Sequence, residues 1–300
     1  MKEARPAKPK SGHVALIGRP NAGKSTLLNR LVGEKIAAVS DKPQTTRFRI
    51  LGIVNRPEGQ IVFVDTPGIH KPGYALNRRM MVTVHEALHG VDLVCLIRDA
   101  SVSTGQGDRF TLELIKQSGQ PSLLLLNKTD KLSDKSKLLP LIEWYQQEHD
   151  WRGVVPISAL KDDQIEVLLD EIFAHLPVGE PLFSEHEFTD QPMRVLAAEI
   201  VREKILEVTG EEIPYVTAVV TEKWEEVRED FARIYCVIFV ERASQKKIII
   251  GRAGERLKQI GMRARHDIEK LLGHRSHLEL FVKVEADWRD KERLLDELGV

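Results

Sequence analysis

The chain has 300 residues, 42% hydrophobic and 30% charged, with a formal net charge of −1. That balance excludes disordered, collagen-like and disulfide-scaffold classes and leaves room for two domains of roughly 100 to 200 residues each. The longest unbroken apolar run, Ile234 to Val240, has seven residues, far below the roughly 18 that a membrane-spanning helix needs. The basic start (Lys2, Arg5, Lys8, Lys10) carries Pro6 and Pro9 and leads into no apolar stretch, so a cytoplasmic protein without a signal peptide is expected. Cys95 and Cys236 lie in apolar runs with no partner at metal-ligand spacing and read as buried structural thiols.

Residues 1–12 read as a flexible tail. From 13 to 176 short apolar runs alternate with amphipathic stretches, with strands expected at His13 to Gly18, Arg47 to Val54, Gln60 to Val64, Asp92 to Ile97, Ser122 to Leu126 and Val154 to Ile157. Helical patterns begin near Lys24, Leu76, Asp108, Asp134 and Gln164. The rhythm predicts an α/β domain, a mainly parallel six-stranded sheet with helices on both faces. Asn55 to Gly59 is too short for a crossover helix, so strands 2 and 3 are expected to form an antiparallel hairpin. Residues 177–193, punctuated by Pro177, Gly179, Pro181 and Pro192, read as a linker. Residues 194–300 change to an α+β order. A helix (Val195 to Val208), two strands (Tyr215 to Lys223 and Phe231 to Arg242), a short helix (Gln245 to Ile250), a longer one (Gly254 to Leu272), a strand (Leu278 to Glu285) and a last helix near Lys291 are expected.

The first strand runs into Gly18-Arg19-Pro20-Asn21-Ala22-Gly23-Lys24-Ser25-Thr26, a GxxxxGKS phosphate loop at a strand-to-helix turn. Its backbone N–H groups and the helix dipole suit an anion, Lys24 can reach the β and γ phosphates, and Ser25 can ligate Mg²⁺. Asn127-Lys128-Thr129-Asp130 ends a later strand on the same sheet edge. A carboxylate such as Asp130 accepts from the N1–H and exocyclic amine of guanine, whereas adenine would leave it unpaired. Asn127 is expected to hold the loop and approach the base oxygen, with the Lys128 stem covering the ring. Asp65-Thr66-Pro67-Gly68 closes the third strand, with Asp65 on Mg²⁺ and the Gly68 N–H sensing a γ-phosphate. In Gln44-Thr45-Thr46-Arg47 a hydroxyl can close over Mg²⁺, with Thr46 favoured over Thr45, and Ser158-Ala159-Leu160 either lines the base or is an ordinary turn.

These five elements in this order resemble the Ras-like translation-factor GTPases, and their spelling is similar to the Era family. The resemblance implies GTP and GDP with Mg²⁺, and hydrolysis in which Lys24, Thr46 and Gly68 take part. Ile69 stands where Ras-type relatives carry a water-orienting glutamine, which implies slow intrinsic turnover. Asn21 is either a turn-stabilising side chain or, as in some relatives, part of a seat for K⁺. Arg98 departs from the family's usual apolar residue and is expected to pair locally with Asp99.

Ile250 and Gly251-Arg252-Ala253-Gly254 join two helices through GxxG, the loop with which KH domains clamp four nucleotides of backbone. GxxG alone arises by chance about once or twice in a chain of this length, so its context decides. The order α, β, β, α, GxxG, α, β resembles a type II KH domain. Between Arg242 and Arg265 eight basic residues, among them Lys246, Lys247, Arg252, Arg256 and Lys258, face one acid, Glu255, the local charge expected for a single strand of RNA. A solvated helix face is the bland alternative. No stacking aromatic is evident in sequence near the loop, so bases are expected to meet an apolar groove of Ile248 to Ile250 and Leu257. Ala253 stands where a second glycine is common, and alanine is expected to be tolerated there if its φ is negative. The resemblance covers about residues 13–290 and implies binding of the 16S ribosomal RNA 3′ end, a role in small-subunit assembly, peripheral association with the inner membrane, and a monomer. The competing readings are a GTPase acting on another RNA, a metabolic P-loop phosphotransferase, and an RNA-binding module whose nucleotide domain is only structural.

Overall fold

The computed structural model describes residues 8–42, 45–68, 73–210 and 212–300. Contacts divide the chain into two compact units, one of residues 1–34, 49–69 and 82–190, the other of 35–48, 70–81 and 191–300.

In the first unit β1 (Lys10–Gly18) leads through α1 (Lys24–Val32) to β2 (Ile50–Arg56) and β3 (Gly59–Asp65). After α2 (Ala75–His89) come β4 (Leu93–Asp99), α3 (Gln106–Ser118), β5 (Ser122–Asn127), α4 (Leu138–Glu148), β6 (Gly153–Pro156) and α5 (Ile165–His175). The six strands lie in the order β2-β3-β1-β4-β5-β6. All neighbours are parallel except β2 and β3, which form the antiparallel hairpin. Val14 to Ile17, Ile61 to Val64, Leu93 to Ile97 and Leu123 to Leu126 are buried. Such near-continuous apolar strands belong to a parallel sheet covered on both faces. Because β1 lies between β3 and β4, the order reverses beside it, and the loops after β1, β3 and β5 share the carboxyl edge where open α/β sheets bind ligands.

Two local expectations change. Asp134 does not start a long helix; it caps a 3₁₀ turn, Lys135–Lys137, by accepting from Ser136 N at 2.9 Å, and α4 begins at Leu138. The stretch read as a linker is bound to the sheet along much of its length. Lys10 bridges to Val178, Leu182 and Phe183 donate to Gln60 Oε1, Ile53 N donates to Phe188 O, and Thr189 Oγ1 donates to Leu51 O at 2.6 Å.

The second unit contains α6 (Met193–Val208), α7 (Ile213–Val216), β7 (Ala218–Arg228), β8 (Phe231–Val240), α8 (Ala243–Ile250), α9 (Glu255–Leu272), β9 (Arg275–Val284) and α10 (Glu292–Glu297). Its sheet runs β7-β8-β9, with β7 antiparallel and β9 parallel to β8. Tyr215, expected in a strand, lies in α7, where Pro214 presets a helical φ. One sheet face packs on α6 and α9 through Ile234, Cys236, Ile238, Ile260, Ala264 and Ile268. Part of the other is closed by Trp288, Leu294 and Leu295.

Segments 35–48 and 70–81, assigned in sequence to the first domain, join this unit for a physical reason. Arg47, 3% exposed, donates to the Thr217 carbonyl at 2.7 Å and the Pro214 carbonyl at 2.6 Å. Its guanidinium lies 5.4 Å from the Trp288 ring centroid. Arg202, ion-paired with Glu199, donates to Thr45 O. Lys35 bridges Glu203 and Asp267 at 2.5 and 2.8 Å. In the other segment Ala75 N donates to Asp290 Oδ1 at 2.8 Å, and Arg79 reaches Asp296 and the Val300 carbonyl. No helix among the described residues is long and apolar enough to cross a membrane.

Candidate functional site: a nucleotide crevice and a GxxG clamp

The turn after β1 requires its glycines. A Cβ on Gly18 would lie 2.5 Å from the Ile97 carbonyl oxygen, and one on Gly23, at φ +102°, would lie 2.3 Å from Asn127 Nδ2. Asn21 adopts φ +63°, a left-handed conformation that asparagine tolerates better than most residues. The buried Lys24 ammonium donates to the carbonyls of Gly18 and Arg19 at 3.2 and 3.4 Å. Burial lowers its pKa, and the nearby Asp65 opposes that shift.

Ser25 Oγ donates to Asp65 Oδ2 at 2.9 Å. A hydroxyl and a carboxylate held together at the mouth of a phosphate loop are the hard oxygen donors Mg²⁺ prefers, so these residues fit the ion. Thr66 is committed structurally, donating to Leu16 O at 3.0 Å. A Cβ on Gly68 would sit 3.2 Å from Pro20 Cγ and 3.3 Å from Pro20 Cα, so the DTPG turn closes against the phosphate loop. Gln44 and Ile69 lie outside the described residues. Thr46 is buried and belongs, with Thr45, to the second unit.

Asn127 binds three motifs together. Its Nδ2 donates to Ala22 O at 2.8 Å and its Oδ1 accepts from Ala159 N at 3.0 Å. Both ends of the amide are engaged by protein, so its holding role is the one the geometry displays. Lys128, at φ +66°, donates to Asn21 O and to Asp99 Oδ2, both at 2.6 Å. Burial alone would raise the pKa of Asp99, yet the hydrogen bonds from Lys128 and Ser101 outweigh it and hold the carboxylate below its usual range. Thr129 donates through both N and Oγ1 to Ile157 O, and Ser158 Oγ donates to Asp130 Oδ1 at 2.5 Å. SAL is therefore tied to both the asparagine and the aspartate of NKTD.

Arg98 corrects another expectation. Its ion-pair partner is Asp108, Nε to Oδ1 at 3.0 Å, rather than the Asp99 carboxylate. Asp108 also takes Arg19 Nη1 at 2.8 Å and caps Gly105 N at 2.8 Å. A buried carboxylate thus joins the phosphate loop to β4 and α3. Neither Asp99 nor Asp108 was singled out as a site residue. The register of Asp99 opposite Asn127 is the feature that marks it.

In the second unit α8 ends at Gly251 with φ +74° and ψ −178°. A Cβ there would lie 2.7 Å from Arg256 Cβ, so both conformation and space demand glycine. Ala253 has φ +49°, so the condition of a negative φ is not met, because the chain must reverse between two helices within the loop. Arg256 donates back to the Ile248 carbonyl. The groove beside the loop, about 400 Å³, is lined by Leu257, Gly261, Met262, His277, Leu278 and Leu280, with Lys258 and Arg265 contributing positive charge. Ile249 is wholly buried and Ile250 packs on the core, so α9 and β9 build the groove in place of the isoleucine run. Cys95 and Cys236 are free and buried; burial raises both thiol pKa values, that of Cys236 to about 11.

Comparison with known proteins adds independent findings. Residues 13–128 match a family described as 50S ribosome-binding GTPase, and residues 212–289 match the KH domain. The chain is 45% identical over 290 residues to GTPase Era of Heliobacterium modesticaldum, covering 97% of each. It matches a crystal structure of Era in complex with MgGDPNP and nucleotides 1506–1542 of 16S ribosomal RNA, at TM-score 0.93 and 41% identity, over 97% of this chain and 99% of that one. A variant of Aquifex aeolicus Era bound to GDP·AlF4− matches at TM-score 0.92 and 41% identity, with the same coverage.

Proposed function

This chain belongs to the Era family of GTPases, and from that membership we propose that it is a GTP-driven switch that grips 16S ribosomal RNA near its 3′ end and assists assembly of the small ribosomal subunit. It hydrolyses GTP to GDP and phosphate, with Mg²⁺ as cofactor. The observation that carries the reading is the pairing, on one chain, of a guanine-type nucleotide site closed by Asn127 with a GxxG clamp whose unit also holds the Thr45–Thr46 segment. Ser25 and Asp65 would hold the metal, which supplies positive charge to the phosphates during transfer. Lys24 would face the β and γ phosphates. Asp130, fixed by Ser158, would accept from guanine and reject adenine. Thr46 is assigned the hydroxyl that closes over the metal when GTP is bound.

The RNA reading rests on the positive φ of Gly251 and Gly254, which lets backbone approach phosphates, and on the mixed apolar and basic groove beside them. We place the protein in the cytoplasm as a monomer, with RNA as its partner. The test is twofold: crosslinking in cells followed by sequencing of the recovered RNA, and phosphate release from GTP with Mg²⁺ and no acceptor but water. Recovery of the 16S 3′ end together with acceptor-independent release is the expected result. Release that depends on an added small-molecule acceptor would favour a phosphotransferase, and recovery of a different RNA would redirect the switch to another target.

A further inference from the structure

β9 is one of the two edge strands of its sheet, and its residues alternate. Leu278, Leu280 and Val282 turn to the helix-covered core. His277, Glu279, Phe281 and Lys283 occupy the other register of the strand. Phe281 is 63% exposed, more than any other aromatic among the described residues, although Val237, opposite it on β8, is 7% exposed. The Lys246 ammonium stands 5.4 Å from its ring centroid. Lys246 lies on α8, which ends in the GxxG loop, and Leu280, the neighbour of Phe281, lines the groove. An aromatic face left open, flanked by a cation and adjoining a clamp for nucleotide backbone, suits a base that stacks on the ring while its phosphate meets the lysine.

We infer that Phe281 is a stacking platform for a nucleotide base of the RNA strand lying beyond the stretch gripped by the GxxG loop. This deepens the RNA reading above and rests on it. The loop holds about four nucleotides, and the strand that leaves the groove across β9 meets the ring next. Stacking is tolerant of base identity, so Phe281 adds affinity and length dependence while sequence reading stays with the groove. Glu279 is the opposing charge in this register, and it is drawn to His277 at 3.2 Å. Lys283, in the same register, is ion-paired with Glu285 at 3.5 Å.

The test measures binding of single-stranded RNAs of about four and about ten nucleotides to the full chain, its Phe281→Ala and Phe281→Leu variants, and the Arg252→Asp/Ala253→Asp double variant. Phe281 is exposed, so its truncation leaves the core intact, and unchanged thermal unfolding verifies this. The expected result is that Phe281→Ala weakens the longer strand roughly 5- to 150-fold, leaves the short strand unchanged, and keeps the same salt slope, because stacking releases no counterions. Phe281→Leu follows Phe281→Ala, since a branched aliphatic chain has no π face, whereas the double Asp variant loses both lengths. Parent affinity of Phe281→Ala for the longer strand overturns the inference and leaves the ring to a protein partner. An equal loss on both lengths also overturns it, by locating the ring's effect inside the groove. Survival of both lengths in the double Asp variant would remove the clamp reading itself, and the inference with it.

Discussion

Ser158 and Asp130 are joined by a 2.5 Å hydrogen bond from the serine hydroxyl to Oδ1 of the carboxylate, so the residue proposed to read the base is held by the loop after the last strand of the sheet. Asp130→Asn replaces a charged carboxylate with two acceptor oxygens by a neutral amide with one acceptor and one donor, which can no longer accept from both the N1–H and the amine of guanine. GTP affinity is expected to fall roughly 10²-fold or more, with xanthosine triphosphate gaining. Competition binding with GTP, ATP and xanthosine triphosphate decides it; equal affinity of the parent protein for ATP and GTP would refute the assignment.

In the proposed reaction Lys24 and the Ser25–Asp65 pair serve the phosphates and the metal, while Ile69 brings no polar group. Lys24→Ala and Ser25→Ala are each expected to cost roughly 10²-fold or more in turnover, and Ile69→Ala little. Asn21, within the phosphate loop and with φ +63°, is proposed to help seat K⁺. Exchanging K⁺ for Na⁺ is then expected to slow hydrolysis, and Asn21→Ala to abolish the difference. A parent enzyme indifferent to the two ions would leave Asn21 as a turn residue.

The buried Asp108 carboxylate lies between Arg98 and Arg19. Asp108→Asn leaves two guanidinium groups without their counter-charge, and about 3–5 kcal/mol of stability is expected to be lost. Part of that figure is discounted because Arg19 is 41% exposed. Because Arg19 belongs to the phosphate loop, GDP affinity is expected to weaken as well. Urea unfolding and GDP titration of the same variant measure the two effects, and an unchanged midpoint would contradict the network.

Ala253 at φ +49° bears a left-handed penalty of about 1–2 kcal/mol, partly offset by the smaller entropy of the unfolded chain relative to glycine. Ala253→Gly is expected to stabilise the protein by about 0.5 kcal/mol, with RNA binding retained. A lower unfolding temperature would show that the methyl group makes a stabilising contact.

The nucleotide motifs were legible in sequence because each is a short, contiguous stretch at a strand end, and the apolar period of the strands places those ends on one edge. The GxxG loop was legible for the same reason, aided by basic residues on both sides. What could not be read is carried by side chains meeting across long separations. The Arg98–Asp108 pair crosses the loop from β4 to the first turn of α3, whereas adjacency in the chain points to Asp99. The groove wall supplied by His277, Leu278 and Leu280 is built only when β9 packs beside α9. Arg47, in a segment expected to begin a strand, instead donates to carbonyls of Pro214 and Thr217, which no periodicity encodes.

Nucleotide state is expected to govern the grip on RNA, because the Thr45–Thr46 segment belongs, through Arg47 and Arg202, to the unit that carries the clamp. The most direct measurement is the affinity of the full chain for a single strand matching the 16S 3′ end, taken with GDP and again with a non-hydrolysable GTP analogue. Different values are expected, and by linkage an equal factor in the effect of that RNA on the relative affinities for the two nucleotides. Identical RNA affinities with the two nucleotides would contradict it and leave two independent activities on one chain.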